Sequence, residues 1–150
     1  MPIRYRTASI RDAKEIKRLN DAFNGKDTNT LAGIEAGLMR RDAETIFVAE
    51  DEGLLKGFLC GQLLKSVCYS VFYVEITELF VEEASRRRGI GDGLMRFAEN
   101  WYREKGIHDF QLFTGGDNFS AHKFYERMGY RRDDDLLYRK RDSWIKARDD

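Results

Sequence analysis

Proline and cysteine are almost missing from this chain. Of its 150 residues one is proline, at position 2, and two are cysteine, Cys60 and Cys68. Two cysteines exclude a disulfide-built scaffold, and their spacing matches no metal-ligand pattern. Reduced thiols in a cytoplasmic protein are the expectation. Histidine is equally sparse, with His108 and His122 alone, so no metal site is expected. No apolar run approaches the roughly 18 residues that a membrane helix needs. The opening Met-Pro-Ile-Arg-Tyr-Arg lacks the apolar stretch and small residues of a secretory leader. Neither sign of charge prevails: 26 Lys and Arg balance 26 Asp and Glu, for a formal net charge of zero. That balance argues against nucleic acid or an anionic membrane as the main partner, because both call for a basic excess.

What is present suffices for a core. Hydrophobic residues make up 42% and aromatic ones 13%, and the length suits a single domain over residues 1–150. Its core is expected over about 3–140, with a tail over 141–150 that periodicity does not assign. Ile3 to Arg6 reads as a first strand. A helix follows, capped by Thr7 or Ser9, with Ile10, Ala13, Ile16, Leu19, Ala22 and Phe23 at helical spacing and Asn24-Gly25 as its stop. A weaker helix spans about Thr30 to Met39. Thr45–Glu50 and Leu54–Leu64 form a hairpin around Asp51-Glu52-Gly53, and Gly57 and Gly61 inside the return strand mark a bulge or a close approach. Tyr69–Val81 holds another strand, with Tyr73–Val81 at its centre. A long helix runs from Gly91 to Lys105-Gly106, then a short strand over Phe110–Phe113 and a helix over Asn118–Met128. A final hairpin is expected from Tyr130–Arg132 and Leu136–Arg139. The order is that of a mixed α/β domain.

Between the central strand and the long helix lies Arg86-Arg87-Arg88-Gly89-Ile90-Gly91. Two glycines allow close approach of a ligand to the backbone. A helix start supplies unpaired N–H groups and the positive end of the dipole, and three arginines add charge. These are the requirements for binding a diphosphate. No Gly-Lys-Ser/Thr follows, so this is not a nucleoside-triphosphate loop, and the third glycine of a dinucleotide fingerprint is missing.

The pattern R-x-x-G-x-G (Arg86, Gly89, Gly91), placed after Leu79-Phe80-Val81, resembles the pyrophosphate loop of the GNAT superfamily of acyl-CoA-dependent N-acyltransferases. Asn118, Ala121, Tyr125, Gly129 and Tyr130 resemble that family's N-x-x-A-x-x-x-Y-x-x-x-G-[FY] segment, in the family's order. Ile3-Arg4, Thr7-Ala8 and Asp12-Ala13 are similar to its first strand and helix. The resemblance implies a GNAT-like fold, with a mostly antiparallel central sheet and helices on both faces. It implies acetyl-CoA as the acyl-donor cosubstrate, without a metal. By resemblance, Arg86 to Gly91 with Asp92 and Gly93 would hold the CoA diphosphate. The backbone of Leu79, Phe80 and Val81 would pair with the pantetheine arm, and an N–H near Leu79 would stabilise the tetrahedral oxyanion. Asn118 would hydrogen-bond that arm, and Ala121 and Phe124 would line it.

Tyr125 is then the candidate general acid for the departing thiolate, since a phenol is protonated at neutral pH. The acceptor ammonium must lose a proton first, and the central strand offers Glu75 and Glu78. Strict alternation would place Glu75 with Thr77, Leu79 and Val81, and Glu78 on the opposite face with Ile76 and Phe80. The resemblance implies a base on the Leu79/Val81 side, which favours Glu75 and leaves Glu78 in reserve. Loss of the proton straight to solvent stays open. The expected activity is acetyl transfer to a primary amine of a small molecule or peptide by direct attack in a ternary complex. A non-catalytic acyl-CoA-binding module is the alternative. The acceptor side is expected from the first helices, the segment 66–72 and the final hairpin, and homodimerisation through Trp144 and Ile145 stays open.

Overall fold

The computed structural model describes residues 2–40 and 43–145. Their contacts divide into two compact units, Met1–Phe113 and Thr114–Asp150. The first unit holds a five-stranded sheet in the order β1-β2-β3-β4-β5, with β1 Arg4–Thr7, β2 Glu44–Asp51, β3 Leu54–Leu64, β4 Tyr73–Val81 and β5 Phe110–Leu112. Pairing is antiparallel from β1 to β4, and β5 joins β4 in parallel. Helices α1 (Ala13–Asn24), α2 (Leu31–Met39) and α3 (Ile90–Arg103) belong to this unit.

Strand pairing separates the two sheet faces. On one face, Val48, Phe58, Cys60 and Phe80 pack with Ala13, Ile16 and Leu19 of α1 and Ile34 and Leu38 of α2. Phe23 of α1 stacks on Phe80 with centroids 4.9 Å apart. On the other face, Phe47 meets Phe97, Trp101 and Tyr102 of α3 edge-on. Phe47, Leu59, Leu94 and Met95 are fully enclosed. Burying each such side chain stabilises by about 1.5–3 kcal/mol. Of the two candidate caps, Ser9 caps a 3-10 turn, Ile10–Asp12, that leads into α1, and its N–H donates to Asp12 Oδ2 at 2.8 Å. Gly25, at φ 98°, ends that helix.

Both glycines of β3 stand where the chain has no room for a side chain. A Cβ on Gly57 would come within 2.6 Å of the Phe80 carbonyl oxygen, and one on Gly61 would meet the Tyr102 hydroxyl at 2.5 Å. Register irregularities accompany both. One lies on the β2–β3 ladder between Ala49 and Glu50, opposite Lys56, and the other where Cys60 pairs Glu78 while Gly61 pairs Ile76. The second leaves Thr77 as an extra residue in β4, a β-bulge.

That bulge corrects the alternation expected along β4. Glu75 pairs Gln62 and Glu78 pairs Cys60, residues on one face of β3, so Glu75 and Glu78 share a face. Leu79 and Val81, opposite Leu59 and Gly57, lie on the other. One inserted residue inverts the phase of everything after it.

The second unit contains α4, Phe119–Arg127. The hairpin expected over 130–139 is not formed: those residues carry no strand, and Leu136, Leu137 and Tyr138 are exposed. Asp135 N–H bonds Asp133 Oδ1 at 3.2 Å instead, and the flanking segments are too short and too charged to bury a face. A single helical turn, Asp142–Trp144, is present in the tail; residues 146–150 lie outside the described residues.

Candidate functional site

β4 is covered on its outer edge for three residues only. β5 pairs Val74, Glu75 and Ile76, and no strand among the described residues continues along Thr77–Val81. Val81 O accepts from Arg86 Nε, and the other outward-facing N–H and C=O groups of that stretch have no strand partner among the described residues, which makes them a template for an extended ligand. The stretch leads through a short 3-10 turn, Glu83–Ser85, into the arginine–glycine loop and α3.

The loop is held open by positive φ angles. Gly89 caps α3 at φ 75°, with nothing within 4 Å of where a Cβ would stand. Arg87 adopts φ 67°, a conformation uncommon for a non-glycine residue that Asp27 and Glu52 share in turns elsewhere. The Gly93 N–H makes its helical bond to Gly89 O at 3.0 Å. The amides of Ile90 and Gly91 precede that bond and have no intrahelical acceptor. The three arginines divide their work. Arg86 Nε donates to Val81 O at 3.0 Å and its guanidinium lies over the Phe80 ring. Arg88 pairs with Asp51 at 2.9 Å. Arg87 is exposed and makes no hydrogen bond or ion pair among the described residues, so its charge is available to an anion. Gly93 admits the ring of Tyr5, whose hydroxyl occupies the place of a Cβ there. Burial and then the nearby Asp92 push that phenol up, with Arg88 opposing.

Across the face that carries Glu75 and Glu78 runs a row of four polar residues, Glu44–Gln62–Glu75–Gln111, one from each of β2 to β5. Gln62 Nε2 donates to Glu44 Oε2 and Gln111 Nε2 to Glu75 Oε1, both at 3.0 Å. Burial raises the Glu44 carboxyl, and the Glu78 charge raises it further against the Gln62 hydrogen bond. Burial, then Glu44 and Glu78, hold the Cys60 thiol well above its ordinary range, which disfavours the thiolate a nucleophile needs. None of the ion pairs among the described residues involves Glu44, Glu75 or Glu78. Glu44, Gln62 and Gln111 carry no motif in sequence; cross-strand register alone aligns them. At the β3–β4 connection an open apolar hollow of about 300 Å³ is lined by Ser66, Tyr69, Val71, Phe72, Tyr73 and Asp109.

In the second unit, Asn118 caps α4, its side-chain oxygen accepting from Ala121 N–H at 3.3 Å. Phe124 and Arg127 make a cation–π contact, and the half-buried Tyr125 packs edge-on against Phe124 and Tyr130. Burial raises the Tyr125 phenol above its ordinary value.

Residues 12–130 match the family model of the acetyltransferase (GNAT) family. The chain is 35% identical over 94 residues to an uncharacterised N-acetyltransferase of Methanocaldococcus jannaschii, covering 62% of this chain and 42% of that one. It is 29% identical to the uncharacterised N-acetyltransferase YhfO of Bacillus subtilis, covering 89% and 93%. The matches to the archaeal relatives span about two fifths to two thirds of those proteins' lengths. Among solved structures, the aminoglycoside acetyltransferase AAC(6')-Iy in complex with a CoA bisubstrate analogue superposes with a TM-score of 0.80 at 20% identity, covering 94% and 99%. A ribosomal-protein-alanine N-acetyltransferase from Brucella melitensis gives 0.78 at 19%, covering 93% and 99%. At these identities the likeness concerns the fold.

Proposed function

The chain belongs to the GNAT family of acetyltransferases, and on that premise we propose that it transfers an acetyl group from acetyl-CoA to a primary amine by direct attack in a ternary complex. The carrying observation is the open Thr77–Val81 edge of β4, continuous with a glycine-capped helix start and an uncommitted Arg87. An amide-bearing pantetheine arm can add to that edge as a strand, while the diphosphate takes the Ile90 and Gly91 amides and the dipole of α3. Acetyl-CoA supplies the activated acyl group. The N–H near Leu79 is assigned to the oxyanion, and Asn118, Ala121 and Phe124 to the arm. Tyr125 gives its proton to the leaving thiolate, a donor role open to it because a phenol is protonated at neutral pH.

An amine acceptor is supported by the carboxylates of the cross-sheet row, which have glutamine neighbours and no ion-pair partner among the described residues. An ammonium ion is the complement they lack. With alternation broken at Thr77, the case for Glu75 over Glu78 loses its ground. Glu78 directly precedes Leu79 and becomes the preferred proton acceptor, with Glu75 held aside by Gln111.

The test is calorimetry of acetyl-CoA binding with wild type and Gly89→Asp, together with free-CoA release across a panel of amines. Open space at the Gly89 Cβ, and the tolerance of aspartate for positive φ, leave the variant folded. Its charge repels the diphosphate, so affinity should drop by about tenfold or more. Unchanged affinity in folded Gly89→Asp rejects the loop assignment, and binding without CoA release from any amine rejects catalysis in favour of a binding module.

A further inference from the structure

One carboxylate stands where the sheet turns into the loop. Glu82 follows β4 directly, and its oxygens receive side chains from three places: Arg18 Nη1 of α1 at 2.9 Å, Lys56 Nζ of β3 at 3.2 Å, and Ser85 Oγ at 3.0 Å. Its N–H donates to Lys56 O at 2.9 Å, and the buried Ser85 returns its own N–H to Glu82 O at 2.9 Å. These bonds close the 3-10 turn from which Arg86 departs. Arg18 is gripped in turn by Glu15, through Nε at 2.8 Å and Nη2 at 3.1 Å, and donates to Leu55 O at 2.9 Å. Leu55 N–H donates to Glu15 Oε1 at 3.2 Å. Leu55 and Lys56 sit at the irregular end of β3. The Arg18–Glu82 contact thus links α1 to the root of the loop, while Lys56 and the Glu82 N–H tie that root to the bend of β3.

We propose that Arg18 and Glu82 are positioning residues, the pair through which α1 fixes the pose of residues 86–91 for the cosubstrate's diphosphate. The proposal rests on the reading of that loop given above. Arg18 and Lys56 take different oxygens of Glu82, so together they orient its carboxylate in one way. With Arg18 removed, one oxygen loses its partner, and the turn to Ser85 and Arg86 gains conformations that acetyl-CoA must then freeze out. Arg18 is about half exposed, so the pair contributes little to global stability and its loss leaves the protein folded.

Acetyl-CoA dissociation constants and steady-state constants should be measured for Arg18→Met, Arg18→Lys, Glu82→Gln and Arg18→Met/Glu82→Gln, with Gly89→Asp alongside. Arg18→Met and Glu82→Gln are each expected to weaken acetyl-CoA about fivefold to tenfold, with kcat at saturation and the KM for the amine nearly unchanged. The double variant should bind no worse than either single one, since both remove the same contact. Arg18→Lys keeps the charge without the fork and should recover part of the loss. A pair that merely held the fold together would lower kcat and melting temperature along with affinity. Wild-type affinity in folded Arg18→Met and Glu82→Gln, with Gly89→Asp defective, overturns the pair and leaves the loop assignment standing. Additive losses in the double variant also overturn it. An unimpaired Gly89→Asp removes the loop assignment and the proposal with it.

Discussion

A tyrosine whose ring is packed between Phe124 and Tyr130 separates cleanly into ring and hydroxyl. Tyr125→Phe keeps the packing and deletes only the proton donor. If Tyr125 is the general acid, kcat should fall about a hundredfold or more while acetyl-CoA affinity holds, which single-turnover kinetics and calorimetry together will read. Full turnover in this variant would return Tyr125 to a packing role. The two carboxylates of β4 call for a different measurement because they share a face. Glu78→Gln should depress kcat/KM most at low pH, where the amine is protonated, and move the acidic limb upward toward the amine's own pKa. Glu75→Gln should leave that limb nearly in place, because its partner Gln111 also accepts a hydrogen bond from an amide. A shift confined to Glu75→Gln would reverse the assignment, and no shift in either would leave proton removal to water.

Elements were legible where one local rule decided them. The glycine stops, the amphipathic period of α1 and α3 and the turn at Asp51–Gly53 all act within a few residues, and their elements form close to the expected bounds. Thr77 shows the limit. Gly61 in β3 signals a bulge or close approach from its own strand, but nothing in the β4 sequence places the extra residue at Thr77. The cross-sheet row escaped for the same reason, and the absent final hairpin shows turn chemistry without enough apolar surface to hold two strands. Gly61 gives a direct check on this account. Its alanine variant drives a methyl group into the fully buried ring of Tyr102, so Gly61→Ala should destabilise by about 1–3 kcal/mol in urea unfolding. The Tyr102 hydroxyl is buried with no well-formed hydrogen bond; Thr45 is near but does not satisfy it. Tyr102→Phe should therefore recover a large part of the loss, and strict additivity of the two substitutions would contradict the contact.

For the molecule as a whole, acid stability follows from carboxylates tied to arginine. Burial alone raises Asp12, but hydrogen bonds from Arg6 and from Ser9 N–H outweigh it and hold the carboxyl below its ordinary value. Arg18 does the same for Glu15, and at Glu82 bonds from Arg18, Lys56 and Ser85 overcome the burial, although solvent screening near the surface keeps these two contributions small beside that of Asp12. A carboxyl lowered in the folded state stabilises above its unfolded pKa, and that contribution is lost as pH falls through the folded value. Glu44 is shifted the other way, so its protonation in mild acid favours the folded state. The urea midpoint should hold steady or rise slightly from pH 7 to about 5, then fall steeply below about 4. A midpoint that climbs below pH 4 would refute this balance. The uncovered edge of β4, finally, matters to more than one molecule at a time. A strand edge with no partner strand among the described residues is open to another chain's strand as well as to the proposed pantetheine arm. Saturating acetyl-CoA should then act as a plug against edge-to-edge aggregation, keeping concentrated solutions clear by occupying the seam rather than by deepening the fold's own stability.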